Sequence, residues 1–272
     1  MNLTRREYLA SLAGGLLPSI AVGHAETEKG FSDAEKEKFL TSGKIISTKE
    51  IGHGVTKPVQ VELEYGGATH AAKIQGIDKV LPRFFAEDGT TVPMKDSWRY
   101  NIAAYKIDRL LDMNMVTVAV RRPYKGKTSS FSWWVDNVMF EEVERLKKKI
   151  EPPDPETFDR QRQITSVFDE LIINIDRNAS NLLITKDWKI ALIDHSRAFN
   201  AYHGIRNKAN LNRCSRRLLA KMRELTPAML KDAAGEYLTP AELGAVLARR
   251  DQIVAFFEKR LKDDGEEKVL FG

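Results

Sequence analysis

Apolar residues at Ile164, Val167, Phe168, Leu171, Ile172 and Ile175 recur at helical spacing and predict a core-facing helix. The chain then turns polar over Asp176-Arg-Asn-Ala-Ser-Asn181. Two short apolar runs follow, Leu182–Ile184 and Lys189–Ile193, with Thr-Lys-Asp-Trp between them, and predict a tight β-hairpin that delivers Asp194. Earlier in the chain, Lys44–Glu50 reads as a strand. Val59, Val61, Leu63 and Tyr65 alternate as a second, and Gly66-Gly67 supplies a two-residue turn into a return strand over Thr69–Gln75. Ala103, Ile107, Leu110 and Leu111 mark the core face of a helix within Lys95–Asp112. Val116–Tyr124 and Thr128–Trp134 predict two further strands. The remainder is helical, with Thr226-Pro227 and Thr239-Pro-Ala-Glu242 as helix starts, the second a capping box, and apolar faces at Ala245–Leu247 and Ile253–Phe257. Ser32 with Glu35 three residues on starts a short leading helix before residue 40, and Glu151-Pro-Pro-Asp-Pro155 is a rigid connector. Strands gather in the first half and helices mostly in the second, the elements of an α+β chain with room for one large lobe or two modest ones.

The N-terminus adds a different element. Thr4-Arg5-Arg6-Glu7-Tyr8-Leu9 precedes a weakly apolar run from Ala10 to Val22 and the small residues ending at Ala25. A charged start, a short apolar stretch and a small-residue end are the parts of a signal peptide, too short for a stable membrane span. About 247 of the 272 residues remain after residue 25, enough for a substantial core. The next segment, 26–40, is a linker with the leading helix.

The net charge of +5 is spread over interspersed acids and bases, with no aromatic-studded basic stripe, which excludes nucleic acid as the expected partner. Lys147-Lys-Lys149 reads as a solvated helix end, and Arg216, Arg217, Arg249 and Arg250 as solvated helix faces. Cys214 is the only cysteine, so neither an intrachain disulfide nor a cysteine-based metal site is possible.

The chemistry lies in the spacing around the central helix and hairpin. Asn181 stands five positions after Asp176, and Asp194 thirteen after Asn181. Protein kinases set a proton-accepting Asp, a metal-holding Asn and a second metal-holding Asp in that order, the last after a hairpin. Asn174-x-Asp-Arg-Asn-x-x-Asn181 resembles the Asp-Arg-His-x-x-Asn loop of phosphoinositide kinases, HipA-type kinases and secretory-pathway kinases. The usual His-Arg-Asp and Asp-Phe-Gly motifs are absent, and Asp194-His-Ser takes the place of the second. The chain therefore resembles the atypical protein-kinase-like superfamily, and its leader, with Arg5-Arg6 before Tyr-Leu, resembles a twin-arginine export signal.

That resemblance implies a bilobal kinase-like fold, with a small β-rich first lobe over 41–134 holding an αC-like helix, and a larger, mainly helical second lobe over 135–272. Gly52, Gly54 and Thr56 form a Gly-x-Gly loop that approaches nucleotide phosphates, and Thr69-His-Ala-Ala-Lys73 resembles the Val-Ala-Ile-Lys strand. Val135–Met139 stands as the hinge, with Trp133 and Trp134 beside it as core residues or as walls for a base. The implied reaction is transfer of a phosphoryl group from ATP to a hydroxyl of an unidentified protein, lipid or small-molecule acceptor in the periplasm or outside the cell. Lys73 holds phosphates, Asn181 and Asp194 hold Mg²⁺ or Mn²⁺, and Asp176 accepts the proton. Arg177 has a structural role.

One position departs from the pattern. Where the αC-like helix should offer a glutamate to Lys73, it offers Asn101, which hydrogen-bonds but cannot neutralise an ammonium. Asp96, Asp108 and Glu62 are open as substitutes. Two other readings follow: a nucleotide-binding pseudokinase with little catalysis, and a metal-dependent hydrolase using Asp176, Asn178, Asp194 and His195.

Overall fold

The computed structural model describes residues 30–51, 58–85 and 88–272. The leader, Gly52, Gly54 and Thr56 lie outside the described residues. Helix α1 (Asp33–Ser42) opens the described chain with the expected capping box, Ser32 and Glu35 each bonding the other's backbone. Strands β1 (Lys44–Glu50), β2 (Val59–Tyr65) and β3 (Ala68–Gln75) follow as an antiparallel meander. Its β2–β3 turn places Gly66 at φ 60° and Gly67 at φ 81°, a left-handed pair that glycine adopts without a Cβ clash.

Strands β4 (Asp78–Phe85) and β5 (Thr91–Ser97) form a separate hairpin that the hydrophobic pattern did not announce. Helix α2 (Trp98–Leu110) is the αC-like helix, and it buries Ile102, Ala103, Ala104 and Ile107 fully. Strands β6 (Ala119–Tyr124) and β7 (Lys127–Trp133) complete a five-stranded sheet in the order β1-β2-β3-β7-β6.

Strand β8 (Val138–Glu141), which begins within the expected hinge Val135–Met139, joins β9 (Leu182–Thr185) and β10 (Ile190–Leu192) in a second sheet of order β10-β9-β8. Between them lie α3 (Glu142–Lys148) and α4 (Pro155–Ile172). Lys149 caps α3 in the left-handed region, so the basic run does end a helix. Helix α4 begins at the connector, with Asp154 as N-cap and Pro155 in its first turn. It stops at Ile172, three residues short of the apolar pattern, because Ile173 turns left-handed at φ 48° and Ile175 falls in the next loop. A β-branched residue in that region is a real outlier, and here it starts the functional loop.

The helical part continues with β11 (Cys214–Ser215), α5 (Arg216–Glu224), α6 (Pro227–Ala234), the long α7 (Pro240–Asp264) and the short α8 (Glu266–Val269) and β12 (Leu270–Phe271). One continuous core runs through both parts, from Phe39 and Phe131 to Phe168 and Phe257. Cys214 is buried, and burial pushes its thiol up to about 12, so it is an inert core residue. Arg249 and Arg250 correct the expectation of a solvated face: Arg249 is fully buried and donates to the carbonyls of Leu171 and Tyr202, and Arg250 is largely buried and donates to those of Met222 and Leu225. Arg216 and Arg217 are exposed as expected. None of the described helices is long and apolar enough to cross a membrane.

Candidate functional site

Strand β3 presents Lys73 with Ser132 as its partner on β7. Strand β10 ends two residues before Asp194, whose backbone is left-handed at φ 56°. Residues 121 positions apart thereby meet: Lys73 Nζ lies 2.9 Å from Asp194 Oδ2. Burial alone pushes the Asp194 carboxyl up, but the charge of Lys73 and hydrogen bonds from Lys73, Ser196 and Gln75 prevail and hold it at about 2. Asp194 is thus an anion with 29% of its side chain still exposed.

Asn101 supplies no charge to Lys73. It lies in the wall of the cleft, 6% exposed, and its amide joins strands β3 and β7 to the loop after β10. Its Nδ2 donates to Gln75 Oε1 at 2.9 Å and more weakly to Ser130 Oγ, while its Oδ1 accepts from the backbone N–H of His195 at 2.8 Å. Gln75 in turn donates to Asp194 Oδ1 at 3.4 Å. A neutral amide relay therefore runs from α2 to β3 to the Asp194 loop. None of the candidate substitutes pairs with Lys73. Asp96 takes Arg197, Asp108 caps the N–H groups of Met115 and Val116, and Glu62 faces Ser47.

The loop after α4 is held by Arg177. Its guanidinium forks onto Asp169 at 2.9 and 3.1 Å, donates to the carbonyls of Asn181 and Ile193, each at 3.1 Å, and lies 2.8 Å from His195 Nε2. One buried cation thus ties the helix, the Asn181 turn and the Asp194 strand together, the structural role expected of it. Asn181 donates through Nδ2 to the carbonyl of Asp176 at 3.0 Å, and among the described residues nothing donates to its Oδ1. Asp194 and Asn181 therefore offer an ionised carboxylate and an amide oxygen, hard donors that fit Mg²⁺ or Mn²⁺.

Asp176 is half-buried, and its Oδ2 accepts from Arg197 Nη1 at 3.3 Å. Arg197 is anchored in turn by Asp96 of β5, 2.9 Å away and 2% exposed. Neither Asp96 nor Arg197 was assigned this role from sequence, because β5 carried no recognisable pattern and the pair spans 101 positions.

His195 is buried, edge-on to Phe168, and pinned against Arg177. Burial first, and then the Arg177 charge, hold its pKa well below the ordinary histidine value, so it is neutral. Asn178 bonds Ser180. Among the described residues no group of three His, Cys, Asp or Glu side chains is placed to hold a metal.

Lys73, Gln75, Asn101, Asp194, Val116 and Trp134 line a narrow cleft of about 40 Å³. That is far below the roughly 300 Å³ and more that a small-molecule site encloses, so a base enters only if the rim opens. Trp133 is buried core, stacked on His70 with ring centroids 3.5 Å apart, and only its edge reaches the cleft.

No protein-family model matches the chain, and no curated protein matches it. Solved structures do. The structure of hydra Fam20 with sugar superposes with a TM-score of 0.63 at 17% identity, over 88% of this chain and 91% of the other. The Golgi casein kinase, solved with Mn/ADP bound, gives 0.58 at 12% identity over 88% and 78%. A Helicobacter pylori proinflammatory kinase gives 0.52 at 13% identity over 79% and 93%. A strand-rich lobe and a helical part joined at β8, together with these superpositions, show that the chain has a protein-kinase-like fold.

Proposed function

We propose that the chain is an exported kinase-like phosphotransferase, lobed over 41–134 and 135–272, that uses ATP with Mg²⁺ or Mn²⁺ and transfers a phosphoryl group to a hydroxyl acceptor. The observation that carries this reading is the ion pair of Lys73 with Asp194, closed across the cleft between β3 and the end of β10. Lys73 is placed to release Asp194 and take up phosphate oxygens, since an ammonium exchanges one anionic partner for another at little cost. Asp194 and Asn181 would hold a divalent metal, which would neutralise charge at the phosphates when bound. Asp176, oriented by Arg197, accepts the proton of the acceptor hydroxyl. The Mn/ADP bound to the Golgi casein kinase supports nucleotide and metal binding here. Export by a twin-arginine leader belongs to the same proposal and rests on Arg5-Arg6 before Tyr-Leu, the apolar run from Ala10 to Val22 and the small residues ending at Ala25.

Asn101 favours a second reading, a pseudokinase that binds nucleotide and transfers slowly. Its amide is spent on Gln75 and His195, so no carboxylate of α2 holds Lys73 when Asp194 turns to metal. Poorer alignment of the transferred group costs rate steeply. Incubation of the protein with γ-labelled ATP, Mn²⁺ and a cell-envelope extract tests the two. Label on an acceptor, lost in Asp176→Ala while nucleotide binding persists, supports the enzyme. Binding with no label above the Asp176→Ala background leaves the pseudokinase.

A further inference from the structure

A second cleft lies on the far side of Gln75, behind the start of α2. It encloses about 570 Å³, large enough for a small molecule and too small for a folded partner. Its walls come from both parts of the molecule: the β3–β4 junction, the first turn of α2, the β6–β7 hairpin and the turn between α6 and α7. The floor is tight at Gly76, where a Cβ would stand 2.7 Å from Ser129 Oγ.

Four cations line this space, Lys79, Arg99, Arg121 and Lys127, against two anions, Asp78 and Glu236. Arg121 is paired with Glu236 across the cleft, both about half exposed. Lys79, Arg99 and Lys127 make no ion pair among the described residues. Arg99 lies over the Trp98 ring, 5.4 Å from its centroid. Cations gathered in a concavity repel one another unless an anion joins them, and the exposed Arg121–Glu236 pair is weak enough to rearrange for one. Trp98, Ile77 and Tyr237 form too little apolar wall for a lipid chain.

We propose that this cleft binds a small molecule carrying several phosphate groups, held by Arg99, Lys127 and Lys79 with Arg121 released from Glu236. Planar guanidinium forks match phosphate and carboxylate oxygens alike, so the preference over a polycarboxylate rests on the higher charge that several phosphate groups bring to four cations. The site is separate from the Lys73–Asp194 cleft and does not depend on the activity proposed for it. A bound polyphosphate bridges the strand-rich lobe to the α6–α7 turn at the base of α2.

Calorimetric titration of the whole protein with sodium tripolyphosphate at low salt, without metal, is the test, run beside citrate. Arg99→Glu combined with Lys127→Glu is expected to weaken tripolyphosphate at least about tenfold, because each reversed charge removes one charge-assisted contact and adds a repulsion. Lys73→Ala is expected to leave it within twofold, and citrate to bind at least about tenfold more weakly than tripolyphosphate. Arg99 and Lys127 are exposed, whereas Lys73 is part-buried and paired with Asp194, and melting curves establish that each variant folds. Unchanged affinity in the double variant, or loss in Lys73→Ala alone, overturns the site. Citrate bound as tightly as tripolyphosphate overturns the phosphate assignment. Failure of ATP to bind the Lys73–Asp194 cleft bears only on the kinase reading.

Discussion

The two walls of the Lys73–Asp194 cleft are built from different chemistry. On the helical side, the loop from Asn174 to Asp194 is organised by charge: a buried Arg177–Asp169 fork, a second pair at Arg197–Asp96, and two further carboxylates at Asp176 and Asp194. On the strand side, the place where an ion pair is expected holds a chain of neutral amides, Asn101 to Gln75. The charged wall fixes positions where an anionic, metal-bearing substrate would react. The neutral wall holds α2 against the Asp194 loop without directing Lys73. Architecture and charge placement are thus separable in this cleft, and only the second is depleted.

Breaking the charged wall should have the largest effect. Arg177→Ala leaves Asp169, 8% exposed, as an unpaired buried carboxylate and strips donors from two carbonyls. A loss of roughly 3–5 kcal/mol follows, readable as a melting shift, and Arg177→Lys should recover only part because it lacks the fork. A shift of under 1 kcal/mol would mean the hub is not what holds the loop.

The neutral wall should yield less. Asn101→Ala orphans the His195 N–H and one face of Gln75, a cost of about 1–3 kcal/mol. Asn101→Glu sharpens the comparison further. Its carboxylate restores an anion near Lys73, so labelled-phosphate transfer should rise above wild type. Unchanged transfer would place the deficit elsewhere than the missing charge.

Acid should weaken both walls, in two steps. His195 is neutral in the fold with a lowered pKa, so the unfolded chain binds the extra proton and stability falls as pH drops below about 6.5. Asp194 is depressed to about 2, so the stability it adds is present above about 4 and is lost as pH falls from there toward 2. Chemical denaturation at stepped pH reads both, and His195→Gln should flatten the slope between pH 5 and 6.5 while leaving the lower step.

Much of this was readable in advance where the physics is local. The glycine pair at 66–67, the capping boxes at Ser32 and Thr239, and the hairpin carrying Asp194 each declare themselves within four residues or in one alternating run. That Lys73 and Asp194 share a site was legible through the kinase resemblance, but their direct ion pair, across 121 positions, is seen only in the fold. Hairpin β4–β5 is weakly encoded because β4 leaves Val80 and Phe85 exposed, while the alternation of β5 buries only Val92 and Met94 as apolar residues, with Pro93 between them. Arg249 passed for a surface residue because its partners are backbone carbonyls of Leu171 and Tyr202, which no side-chain pattern encodes. The αC-like position of Asn101 was legible, but the use of its amide was not, since both partners lie on other elements.

The central claim is that Asp194 and its loop bind nucleotide through metal. Calorimetric titration of the wild-type protein with ATP, with and without Mn²⁺, tests it most directly, with Asp194→Ala as the matched variant. Binding that requires Mn²⁺ and vanishes in Asp194→Ala is the expected result. No heat at millimolar ATP, or binding that Asp194→Ala leaves unchanged, would contradict it.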